Sequence, residues 1–216
     1  MLIKQRKDIL APGNVLDQQW FQSICREVEI AIESVIHPAG TSTFRINPVR
    51  QGNGVIPIKQ NFVKCLKEKY GWELESRLEI SSSGKNAGKI DAVKAIPGTG
   101  KYFAVEWETG NISSSHRALN KIALGIISGK LVGGALIVPS RKLYEYLTDR
   151  IGNYAEMEPY FPVWGNLKVK GECIISVFEI EHDSEDSSLP LISKGKDGMA
   201  RGLLASRKKR LRKSRP

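Results

Sequence analysis

The chain has 216 residues, with 33 Lys or Arg against 23 Asp or Glu, a formal charge of +10 and three cysteines. That length fits one domain with a sizeable core. No run approaches the ~18 apolar residues of a membrane span, and the opening MLIKQRKDILAPGN lacks the continuous apolar stretch of a secretory signal, so a soluble cytoplasmic protein is expected. Cys25, Cys65 and Cys173 are too widely spaced for a zinc site or a thioredoxin-like pair and read as reduced core residues.

In chain order, residues 15–36 place Leu16, Trp20, Phe21, Ile24, Val28, Ala31, Ile32 and Val35 at three- and four-residue spacing, which predicts an amphipathic helix. The Gly-, Pro- and Asn-rich stretch 38–54 reads as a loop, and Ile58, Phe62, Val63, Leu66 and Tyr70 mark a second helix stopped by Gly71. Strands follow at Leu74–Ile80, Lys89–Ile96 and Tyr102–Glu108, the last two joined by PGTG as a hairpin. Residues 112–128 predict a helix with serine caps at its start, Ala135–Val138 a buried parallel strand, 140–151 a further helix and 171–181 a last strand. Strands followed by crossover helices give an α/β fold, a central mixed β-sheet flanked by helices. Residues 1–200 read as a single domain and 201–216 as a basic C-terminal tail. The tail holds eight bases and no acid, leaving 33 − 8 = 25 bases against 23 acids elsewhere. Such a tail favours polyanions, although a solvated appendage is an equally ordinary reading.

The chemistry is concentrated in YFAVEWE. Side chains alternate along a strand, so Glu106 and Glu108 share one face about 6–7 Å apart while Phe103, Val105 and Trp107 share the other. Asp91 on the preceding strand can approach them across the ladder. At ~5 Å and an effective dielectric of ~20, each pair of like charges costs roughly 3 kcal/mol, which a divalent cation would relieve. Carboxylate-bound magnesium serves phosphodiester hydrolysis, which needs a polarised phosphoryl oxygen and an activated water. Taken alone, an ExE pair more often faces solvent on an edge strand. His37, His116 and His182 lie in different elements without metal-ligand spacing, and SSGKNAGK at 82–89 lacks the spacing of a phosphate-binding loop and reads as a hairpin loop.

EWETGNISSSHRALNK, residues 106–121, closely resembles the BamHI family of restriction endonucleases. The likeness continues in order through GNGVIPIK (52–59), YGWELE (70–75), KIDAVK (89–94), YLTDRI (146–151), EMEPYF (156–161) and SLPLISKGKDGM (188–199). The resemblance implies the fold of the PD-(D/E)xK nucleases, with Glu in place of their usual lysine. It further implies a magnesium-dependent homodimer that cuts both strands of double-stranded DNA at a palindrome, GGATCC being suggested. By motif, Asp91 and Glu106 resemble ligands shared by two metal ions, Glu108 the residue activating the attacking water, and Glu75 a further carboxylate near the second metal. Asn111, Ser113, Arg117, Asp149, Arg150 and Asp197 are similar to base-reading positions, and Lys59 to a backbone or near-site contact. Their chemistry suits that role: Arg bridges guanine O6 and N7, Asp accepts from cytosine N4 and Asn pairs with adenine.

Two departures stand out. PVWGNLKVKGE after EPYF lacks the acids the family uses near its dimer interface, and the turn IISGKLVG lacks their charged partner. Two other functions compete with sequence-specific cutting. A DNA-binding regulator without catalysis would gain nothing from three acids beside phosphate, and a repair or recombination nuclease would leave smears rather than discrete bands.

Overall fold

The computed structural model describes residues 1–80, 87–108, 110–148 and 151–194. Strand β1 (Leu2–Leu10) leads through a short 3-10 turn, Val15–Asp17, into helix α1 (Gln19–Glu33), then the short strand β2 (Arg45–Ile46) and helix α2 (Ile56–Tyr70). Strands β3 (Glu73–Ser76), β4 (Ile90–Ile96) and β5 (Lys101–Trp107) follow, then helix α3 (Ile112–Ile127) and strand β6 (Leu131–Pro139). Three short helices, α4 (Arg141–Tyr144), α5 (Tyr154–Met157) and α6 (Phe161–Gly165), precede strands β7 (Ile174–Glu181) and β8 (Ser184–Glu185).

One six-stranded sheet runs β1-β7-β6-β5-β4-β3. Its middle pairs, β5 with β6 and β6 with β7, are parallel, and the outer pairs are antiparallel. A parallel middle must be covered on both faces, and β6, LVGGALIVP, is buried at every position. On one face Phe103, Val105 and Trp107 pack with α1 and α2 through Phe21, Ile24, Ile32, Phe62 and Leu66. On the other, Ala104, Leu136 and Val138 meet Ala118, Leu119 and Ile122 of α3. Gly134 lets α3 come this close, since a Cβ there would stand 2.8 Å from Ile122 Cγ2.

Local sequence explains the ends of the long helices. Gly71, at φ +71, closes α2 by donating its N–H to Lys67 O at 3.0 Å. Asn111 opens α3 by accepting from Ser114 N at 3.2 Å. The helix expected over 140–151 is only α4. The carbonyls of Glu145 and Tyr146, which would begin another turn, instead accept from Gln51 N and Asn53 N at 2.8 and 2.9 Å. The strand expected over 74–80 is the shorter β3. Part of the loop expected over 38–54 forms β2, which pairs in parallel with β8. Cys25 and Cys173 are buried, Cys65 is half-buried and all three are free thiols. Among the described residues no helix is long and apolar enough to cross a membrane.

Candidate active site

The mixed topology brings three acids to one end of the sheet. Asp91 lies near the start of β4, Glu106 is the penultimate residue of β5, and Glu108 follows β5, with its N–H continuing the ladder to Ile137 O at 2.9 Å. All three line an open pocket of about 360 Å³, together with Lys59 of α2 and Arg117 and Lys121 of α3. The face of β5 that carries the acids is covered rather than solvated, for Glu106 is 6% and Glu108 5% exposed. The solvent-facing alternative for the ExE pair therefore fails.

Each carboxylate has defined partners. Asp91 Oδ2 accepts from Trp107 N at 2.8 Å, and Oδ1 pairs with Lys59 Nζ at 2.5 Å. Glu106 Oε1 forms an ion pair with Lys121 Nζ, which also donates to Lys89 O at 2.6 Å. Burial first, and then the charge of Asp91, push the Glu106 carboxyl up to about 7 against the opposing pull of Lys121 and Lys59. Glu108 accepts from Gly110 N and from Ser115 Oγ.

The structure gathers only part of the site read from sequence. Lys59, Asp91, Glu106, Glu108 and Arg117 share the pocket. Asn111 and Ser113 sit exposed in the first turn of α3, beside the pocket residues Gly110 and Ser114. Glu75 is set apart from the pocket lining. It is exposed, has φ +54, falls between the pairs Leu74↔Ala92 and Ser76↔Ile90 opposite Asp91, and binds Lys89 at 3.1 Å. Asp149, Arg150, Asp197 and the basic tail lie outside the described residues. Sequence reasoning passed over Lys121, Ser114 and Ser115. For the first two the signal was available: Ser114, Arg117 and Lys121 recur at i, i+3 and i+7, one stripe of a helix.

The comparisons extend over nearly the whole chain. The family profile described as Restriction endonuclease BamHI matches residues 1–199. The chain belongs to the BamHI family of restriction endonucleases. It is 51% identical to the type II restriction enzyme OkrAI of Oceanobacter kriegii over 200 residues, covering 93% of this chain and 99% of that one. It is 35% identical to the type II restriction enzyme BamHI of Bacillus amyloliquefaciens over 201 residues, covering 91% and 89%. As a member of the BamHI family it is a type II restriction enzyme, a site-specific deoxyribonuclease whose substrate is DNA.

Restriction endonucleases are typically metal-dependent, and the pocket fits a hard divalent cation. Asp91, Glu106 and Glu108 on its lining offer carboxylate oxygens, the donors magnesium prefers, beside the bases Lys59, Lys89, Arg117 and Lys121. Among the described residues no three acidic, imidazole or thiol groups are already gathered as a metal-ligand set. The cationic places beside Asp91 and Glu106 are taken by the ammonium groups of Lys59 and Lys121.

Proposed function

We propose that the chain is a homodimeric, magnesium-dependent endonuclease that hydrolyses both strands of double-stranded DNA at a palindromic site, GGATCC. The observation that carries this reading is the convergence of Asp91, Glu106 and Glu108 with Lys59, Arg117 and Lys121 in one open pocket beside the N-terminus of α3. Family membership supports GGATCC as the first site to test.

Asp91 and Glu106 would hold the ions, two per site, with Glu75 as an outer carboxylate on the neighbouring strand. When bound, magnesium supplies a polarised phosphoryl oxygen and lowers the pKa of a coordinated water. Glu108, oriented by Gly110 and Ser115, takes the proton of the attacking water. Once Lys59 and Lys121 leave their carboxylates, their ammonium groups are free to face the phosphate, adding charge stabilisation. Asn111, Ser113 and Arg117 at the start of α3, with Asp149, Arg150 and Asp197, read base edges.

The deciding experiment is digestion of phage DNA with magnesium, followed by sequencing of the cut ends. Discrete ends at GGATCC are expected, and EDTA should prevent them. Ends at another palindrome would replace the site while keeping the enzyme class, whereas smears would favour a structure-directed nuclease. Binding without nicking would favour a regulator. Sedimentation of the free protein and of its complex with a GGATCC duplex tests the dimer.

A further inference from the structure

Glu108 owes its orientation to Ser115 Oγ and Gly110 N, and both donors meet at a third residue. Ser115 is fully buried on α3. A hydroxyl in that position costs free energy unless it is paired, and its partner is Glu108. Gly152 stands against it: a Cβ at Gly152 would lie 2.1 Å from Ser115 Oγ and 3.3 Å from Ile112 Cα. Gly152 also donates its N–H to Gly110 O at 3.0 Å. It therefore touches two residues that donate to the carboxylate.

The segment around Gly152 is fixed. Ile151 is 2% exposed and Asn153 is fully buried, with Asn153 Oδ1 capping α5 by accepting from Glu156 N at 3.3 Å. In sequence these residues directly follow Asp149 and Arg150, the pair proposed to read bases. A shift in that stretch would be transmitted to Ser115 by direct packing, because groups this close have no slack to absorb it.

We propose that Ser115 is the positioning residue for Glu108 and that Gly152 seats Ser115, so the segment following the base-reading pair bears directly on the support of the water-activating carboxylate. The inference rests on the reading of Glu108 given above. It assigns Gly152 a steric role: the absent side chain leaves room for the Ser115 hydroxyl to reach Glu108.

The test compares wild type, Glu108→Ala, Ser115→Ala, Gly152→Ala and the double variant Ser115→Ala/Gly152→Ala. Single-turnover cleavage of a duplex bearing the mapped site is measured with saturating protein and magnesium. Binding of the same duplex is measured in calcium, and thermal unfolding reports whether each variant folds. Ser115→Ala and Gly152→Ala should each slow cleavage about 10- to 100-fold, as removal of an orienting hydrogen bond does. Their cognate binding should stay within about twofold, since base and phosphate interactions fix the duplex. The double variant should be no slower than either single one, because removing the hydroxyl makes room for the new methyl group. Wild-type cleavage by Ser115→Ala beside an inactive Glu108→Ala would overturn the inference, as would losses that multiply in the double variant. An active Glu108→Ala would instead overturn the role given to Glu108. If Gly152→Ala fails to fold, Ser115→Ala set against Glu108→Ala decides the positioning role, and recovery of folding in the double variant decides the seating role.

Discussion

Strand β4 carries two lysine–carboxylate pairs of similar composition in opposite settings. At one end Lys94 donates to both oxygens of Glu27 on α1, at 2.6 and 2.7 Å, and Trp72 Nε1 adds a third bond at 2.7 Å. At the other end Asp91 pairs with Lys59 on the wall of a pocket it shares with Glu106. Both oxygens of Glu27 are taken by donors anchored in packed elements, and in the cavity of about 370 Å³ that this pair lines Glu27 is the one carboxylate among the described residues. The Asp91 pair shares its cavity with two further buried carboxylates, Glu106 and Glu108. The difference teaches that a lysine–carboxylate pair beside open space becomes chemically available through the acids gathered around it, whatever its own residue types.

The largest effect expected from this contrast concerns Glu106. Its carboxyl is raised from 4.5 to about 7, so the folded metal-free protein holds a proton that the unfolded chain has released in that window. The contribution of Glu106 to stability is therefore fully present below pH 4.5 and lost as pH climbs through about 7, by about 3 kcal/mol over the interval. Urea titrations in EDTA across this range should show the decline, and Glu106→Gln should flatten it. A flat wild-type profile would mean that Lys121 fully compensates the buried charge.

The two pairs themselves are separated by the next experiment. Lys94→Met should cost about 1–3 kcal/mol by stranding Glu27, and added calcium should not restore it. Lys59→Met should cost a similar amount in EDTA, but calcium should restore much of it because a divalent ion can take the place of the ammonium. Equal behaviour of the two variants would erase the distinction between a lone carboxylate and one among other acids.

Charges proposed to meet DNA should affect binding rather than folding. Arg150→Ala should lose about 1–3 kcal/mol of discrimination at one base pair, as expected for a bidentate guanine interaction. Uniform weakening on all sequences would make Arg150 a phosphate ligand. The smallest effect belongs to the tail: removing 206–216 should weaken cognate and scrambled duplexes in parallel and reduce the slope of log K against log salt by about 0.9 for each phosphate that is no longer neutralised. An unchanged slope would leave the tail a solvated appendage.

Much of this organisation was legible from periodicity. α1, α2, α3, β4 and β5 follow their apolar patterns, and the ExE strand with Asp91 beside it located the pocket. What periodicity missed depends on distant partners. β1 reads LIKQRKDIL, too charged for a core strand, and becomes one because it lies on the edge of the sheet against β7. The β2–β8 pairing rests on two residues from each of two loops, secured by Arg45 to Asp186 at 2.8 Å and by Asn47 and Asn53 bridging to backbone. α5 and α6 are four and five residues long, below the length at which a repeat can be seen. The stripe of Ser114, Arg117 and Lys121 could be read from spacing, but the pairing of Lys121 with Glu106 needed the folded geometry.

The β1–β7 pairing also orders events during synthesis. β1 emerges first, while its partner Ile174–Glu181 is among the last strands made, so at ~5–20 residues per second β1 waits about ten to thirty seconds. Until the waiting β1 docks, the apolar β7 is an open edge able to add a strand from any other chain. The lysines, arginine and aspartate of β1 then give the finished sheet a charged border. This charged edge strand thus protects a newly made protein from aggregation, and its removal should be felt first as insolubility.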